Sequence, residues 1–170
     1  MQTIILLGGF GGSGKSTTGW KLHESFANSA LMEADHLFFI KPWEIGEKLG
    51  RIKLKNSLDV MRNFLDEDYE HVICIGLVWS QAELDAVVHE FVDRATIFMF
   101  WMHASKETRF ERVLKRGEEG DTKEFLETVE NTLKYPWPLQ IASGNVFKIE
   151  TDSKSPAAIT KEILKHLGSE

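Results

Sequence analysis

The sequence has little cysteine, little proline and no long apolar run, and each shortage excludes a class of protein. One cysteine in 170 residues rules out a disulfide framework and the paired spacing of a zinc site. That residue, Cys74, lies in the apolar stretch HVICIGLVW and reads as a buried strand position, not a nucleophile. Four prolines and no low-complexity tract leave no linker at which to divide the chain. No apolar stretch reaches membrane-spanning length, and the N-terminus lacks the basic region, apolar segment and cleavage site of a leader. The expectation is one cytoplasmic domain over 1–170, monomer or homodimer, with no membrane partner. Basic residues are also in deficit, with 20 Lys and Arg against 26 Asp and Glu. The net charge of −6 is dispersed, which argues against a nucleic-acid partner.

Glycine, by contrast, is concentrated near the start. The stretch GGFGGSGKST at 8–17 follows the β-branched run TIILL and precedes TGWKLHESF, whose apolar residues recur at helical spacing. Gly9, Gly14, Lys15 and Ser16 satisfy the phosphate-loop pattern G-x-x-x-x-G-K-[ST] in its required strand-loop-helix setting. Gly9, Gly11, Gly12, Ser13 and Gly14 would turn backbone N–H groups towards a phosphate, assisted by the positive end of the following helix and by Thr17 within it. Lys15 would neutralise the β- and γ-phosphates, and the Ser16 hydroxyl could hold Mg2+. A nucleoside triphosphate is the expected ligand.

Five apolar segments read as strands, at 3–8, 30–34, 71–78, 95–102 and 146–150. Helical patterns follow at 53–66, after Ser80 to about Asp93, and at 106–116, 123–133 and 156–167. This alternation predicts an α/β fold, a parallel sheet with helices on both faces and ligands at the carboxyl ends of its strands. The stretch 36–68 reads as an insertion beside the active face.

Asp35 follows the second strand directly, where a carboxylate could take a proton from a substrate hydroxyl or hold Mg2+ through water; a helix N-cap is the competing reading. Glu33 could share that face, and His36 has no assigned part. Arg109, Arg112 and Arg116 fall on one side of the 106–116 helix, opposite Phe110, Val113 and Leu114. Arg109 is expected on a solvated face with Glu107 and Glu111. Arg112 and Arg116 lead into RGEEGDT, a glycine-bearing lid at about 116–124, and could clamp a transferring phosphoryl group. Phe38, Phe39, Trp43, Arg51, Arg62 and Trp79 are candidate contacts for the second substrate, the arginines suiting a carboxylate or phosphate on it.

Three segments, GGFGGSGKSTT, ASKETRFERVLKRG and ETDSKSP, carry a resemblance that covers nearly the whole chain. The sequence resembles the nucleoside monophosphate kinase-like branch of phosphate-loop proteins, which includes gluconate and shikimate kinases. It is more closely similar to the tunicamycin-resistance and chloramphenicol-phosphotransferase-like proteins. The resemblance implies the P-loop NTPase fold with strand order 2-3-1-4-5 and a short lid. It implies ATP and Mg2+ as cofactors, and a loop from Thr151 and Asp152 to Pro156 that approaches the adenine. Its activity would be phosphoryl transfer from ATP to the hydroxyl of a small-molecule acceptor. Two departures stand out. The third strand, ICIGLVWS, lacks the acidic residue of a Walker B strand, which moves the metal to Ser16, water and Asp35, and no glycine triplet follows it, which disfavours shikimate. The missing acid leaves open a nucleotide-dependent switch without an acceptor; a kinase of nucleotides or nucleic-acid ends is the third reading.

Overall fold

The computed structural model describes residues 1–42, 44–118 and 120–168. Five strands form one parallel sheet: β1 Gln2–Gly8, β2 Ser29–Glu33, β3 His71–Ile75, β4 Ala95–His103 and β5 Val146–Glu150. Their order is β2-β3-β1-β4-β5, as expected of the P-loop NTPase fold. Among the described residues six α-helices accompany them: α1 Lys15–Ser25, α2 Glu47–Asp66, α3 Gln81–Phe91, α4 Lys106–Arg116, α5 Lys123–Thr132 and α6 Pro156–Leu167.

The central strand β1 shows why both faces must be covered. Side chains alternate across a strand, so an unbroken apolar run supplies two cores. Ile4 and Leu6 join Met61, Leu65, Leu84 and Phe91 of α2 and α3 on one face. Ile5 and Leu7 join Leu22, Ile159 and Ile163 of α1 and α6 on the other. Cys74 is fully buried in β3, where burial pushes its thiol up to about 12. Trp137 packs against the first of these cores.

Two boundaries depart from the sequence reading. The third strand ends at Ile75, three residues early, because Gly76 turns the chain at φ +77°. Leu77 and Val78 are buried beyond that turn, so they look like strand residues while packing as a loop. Helix α2 begins at Glu47, six residues early. Gly50 weakens the helical signal there, yet its N–H bonds the carbonyl of Gly46 as part of the first turn.

Four helices, α3 to α6, are capped by Ser80, Ser105, Thr122 and Ser155, each side chain accepting a bond from a first-turn N–H. Helix α1 begins after Gly14 in the left-handed conformation, with no side-chain cap. Its first N–H groups are left to face the loop 8–14.

That loop is pressed against backbone. Gly12 sits at φ +79°, and a Cβ there would lie 2.4 Å from the carbonyl oxygen of Arg109. Gly117, at φ +69°, has open space around it. Gly12→Ala should therefore cost about 2–3 kcal/mol in a denaturant titration, and Gly117→Ala about 1 kcal/mol. Equal losses at the two positions would mean that the loop yields without resistance.

Candidate active site

The carboxyl ends of β1, β2 and β3 meet at a cavity of about 1020 Å³. Gly11 and Lys15 border it from the loop, Asp35 from the turn after β2, Gly76 from the end of β3 and Lys53 from α2. Lys15 donates from Nζ to the carbonyl of Phe10 at 3.0 Å, so its side chain curls back over its own loop. Burial strips water from the ammonium and pushes its pKa down to about 8, against the opposing pull of Asp35 and Glu33.

Asp35 lies in a single 3-10 turn, Ala34–His36, and its side chain caps no helix there. Its partner is Lys53, whose Nζ stands 3.4 Å from Oδ1 and donates to the Gly76 carbonyl at 3.0 Å. The lysine is buried and the carboxylate is 69% exposed, so the cation is fixed and the acid open to the cavity. Sequence reading missed Lys53. It sits on the buried stripe of α2 with Ser57, Met61 and Leu65, where periodicity expects an apolar side chain; the lysine at that position was the available signal.

The side of the site formed by the phosphate loop, α4 and the loop after β5 is bound together by hydrogen bonds across the chain. Arg112 donates to the Gly12 carbonyl at 3.3 Å and to the carbonyls of Thr151 and Asp152 at 2.8 and 3.1 Å. The buried Thr151 hydroxyl lies 3.0 Å from the Ser13 carbonyl, to which it donates. Asp152 accepts from the Ser105 N–H and hydroxyl, and bonds from Thr108 and Ser105 hold its carboxyl below the usual range. These residues tie the phosphate loop, the start of α4 and the loop after β5 into one unit. Arg112 does not line the large cavity. Arg116 turns to the lid, pairing with Asp121 at 3.0 Å and Glu118 at 3.1 Å.

Arg109 differs from its expected solvated placement. It is buried beside Val113, lies over the Phe10 ring and makes a two-pronged pair with Glu130 of α5 at 2.8 and 2.9 Å. At Arg109 the side of α4 that looked basic is an internal seam, because α5 folds back to supply the counter-charge. Leu114, placed on the apolar side, is exposed.

Of the candidate acceptor contacts, Phe38, Phe39 and Trp79 line the cavity. Arg51 pairs with Glu47, and Arg62 pairs with Asp59 and Glu90, away from it. Trp43 lies outside the described residues. Glu33 ends β2 and is not among the lining residues, and His36 stays exposed.

Among the described residues no group of three or more His, Cys, Asp or Glu could hold a metal ion alone. The donors present are the exposed Ser16 hydroxyl and the open Asp35 carboxylate. That set fits Mg2+, which keeps several waters and takes one or two protein oxygens when phosphates complete its shell.

No known protein-family model matches this sequence, and no curated protein is detectably similar to it. Solved structures are similar in fold. A gluconokinase from Sinorhizobium meliloti superposes with a TM-score of 0.73 at 18% identity, over 98% of this chain and 91% of that one. The Mycobacterium tuberculosis APS kinase, solved with AMPPNP and APS, gives 0.67 at 13% identity, over 99% and 98%. A tunicamycin resistance protein from Deinococcus radiodurans gives 0.66 at 15% identity, over 99% and 98%. The chain therefore has the phosphate-loop kinase fold over its length. Among the described residues no helix is long and apolar enough to cross a membrane.

The Arg109 seam supports the floor of the phosphate loop, and its removal should be costly. Glu130→Ala leaves a buried guanidinium unpaired and should lower unfolding free energy by about 3 kcal/mol. The double variant Arg109→Met with Glu130→Leu should recover most of that loss; failure to recover would show that packing, not the pair, holds α5.

Proposed function

We propose that the protein is an ATP-dependent phosphotransferase that phosphorylates a hydroxyl of a small molecule. The observation that carries this reading is the open Asp35 carboxylate at the floor of a large cavity that begins at Lys15. A nucleotide switch needs the loop but not the second cavity. A kinase of nucleic-acid ends would call for a basic groove, and among the described residues no arginine lines this cavity.

The loop and the uncapped start of α1 bind the phosphates of ATP through backbone N–H groups, and Lys15 moves from the Phe10 carbonyl to the β- and γ-phosphates. Ser16, with Asp35 through water, would hold Mg2+, whose chemistry is to neutralise phosphate charge. Asp35 accepts the proton of the acceptor hydroxyl as its oxygen attacks the γ-phosphorus. Lys53 positions that carboxylate. Thr151 and Asp152 shape the nucleotide side from beneath, with Arg112 as the tether that holds them to the loop. Arg116 exchanges the exposed Glu118 and the largely buried Asp121 carboxylates for phosphate oxygens. Closing the lid over 116–124 excludes water and favours transfer over hydrolysis. The reading takes place in the cytoplasm, in a monomer or homodimer.

The direct test is ADP release from Mg–ATP with and without an acceptor. Stimulation should vanish in Lys15→Ala, and Asp35→Asn should cut turnover by roughly a hundredfold or more while ATP affinity changes little. Near-wild-type turnover in Asp35→Asn would remove Asp35 from the mechanism.

The depressed Lys15 pKa gives a pH signature. Phosphate favours the ammonium form, so ATP binding raises that pKa from about 8 and draws in a proton wherever free Lys15 is neutral. Affinity for ATP should be level below pH 8 and fall by up to roughly tenfold per pH unit above it. Calorimetry in buffers of different ionisation enthalpy should show proton uptake that grows through pH 8; no uptake there would mean Lys15 is charged before the nucleotide arrives.

A further inference from the structure

The walls of the cavity differ in character from its floor. Phe38, Ile45, Leu49, Trp79, Val129 and Leu133 surround it, contributed by the loop after β2, by α2, by the turn after β3 and by the end of α5. Apart from the open Asp35 carboxylate and Lys41 at the edge, the charged groups among the described lining residues already have partners. Lys53 is spent on Asp35 and the Gly76 carbonyl. Lys15 donates to the Phe10 carbonyl. The Glu83 carboxylate accepts from the Trp79 N–H at 2.6 Å and from the Ser80 hydroxyl. Lys41 is exposed at the rim, where water screens it.

An anionic acceptor leaves a different mark. Carboxylates, sulfates and phosphates are recognised by arginine forks or buried cations, and a polyhydroxylated sugar acid needs polar partners along its length. No arginine fork is present among the described lining residues, the one buried cation, Lys53, is held by Asp35 and the Gly76 carbonyl, and Arg51 and Arg62 are paired elsewhere. Burying a sugar acid against these walls would leave its polar groups without partners, which is costly. Phe39, 95% exposed at the mouth, extends the apolar surface to the entrance.

We infer that the acceptor is an uncharged, largely apolar alcohol. Its hydroxyl reaches Asp35 at the floor while its hydrocarbon body lies between α2, Trp79 and α5. The inference rests on the phosphotransferase reading. The step balances simply: the acceptor oxygen forms a bond to the γ-phosphorus of ATP, the bond from that phosphorus to the bridging oxygen breaks, ADP leaves, and the hydroxyl proton passes to Asp35.

The test uses the purified chain with Mg–ATP, ATP affinity measured separately, and two sets of acceptors. Cinnamyl alcohol, naphthylethanol and menthol represent the apolar class; gluconate, shikimate and glycerate represent the anionic one. ADP release stimulated several-fold by apolar alcohols and not by the acids is the expected result. Leu49→Asp should then raise the KM for the alcohol by tenfold or more, and Phe39→Ala, at a position too exposed to affect folding, should raise it a few-fold. Stimulation by the acids alone overturns the inference and leaves the kinase reading standing. ATP binding with no stimulation by either set counts against both, and absence of ATP binding overturns the reading from which the inference starts.

Discussion

The closest constraint in the molecule is backbone against backbone. The loop after β1 passes so near the end of β4 and the first turn of α4 that two of its residues have no room for a side chain. A Cβ on Gly9 would lie 2.4 Å from the Met102 carbonyl oxygen, as one on Gly12 would from that of Arg109. Glycine at these places does more than permit positive φ, because it lets the loop rest directly on the scaffold. The bonds from Arg112 and Thr151 then fix the loop from the other side, so its geometry exists before any ligand arrives. Preorganisation of this kind lets backbone N–H groups stabilise phosphate charge without reorganising.

From that fixed loop the site divides into two halves of opposite chemistry. One half is polar and cross-linked, with α4 and the loop after β5 sharing carbonyls, hydroxyls and a guanidinium. The other is largely apolar and lies on α2, α5 and the turn after β3. Asp35 stands where they meet, held by a lysine that is itself anchored to Gly76. Where a Walker B strand would carry its acid, this chain has Ile75 and Gly76, and the Lys53 ammonium and the Asp35 carboxylate both stand against that edge. The position of the Asp35 carboxylate thus depends on α2.

The sheet was legible because its determinants are local. Unbroken apolar runs, a glycine loop between strand and helix, and Ser or Thr ahead of helical periods are all written within a few residues, and the strand order follows from the resemblance those motifs carry. What escaped reading depends on partners distant in sequence. Arg109 looks solvent-facing until α5 brings Glu130 against it, 21 residues on. Arg112 looks like a free phosphate clamp until its backbone acceptors, about 40 and 100 residues away, are in place. Lys53 escaped because charge at a core position contradicts the helical pattern that identifies the core. The two acceptor-side arginines misled for the opposite reason: local acids and Glu90 neutralise them outside the cavity.

The central claim is that the loop and Asp35 together move a phosphoryl group onto a bound alcohol. Phosphorus NMR of the protein with Mg–ATP and an acceptor reads that event directly. The account predicts a new phosphomonoester resonance that grows in step with ADP. Growth of inorganic phosphate alone, with no phosphomonoester from any hydroxyl compound, would contradict it and leave a nucleotide hydrolase whose second cavity serves some other end.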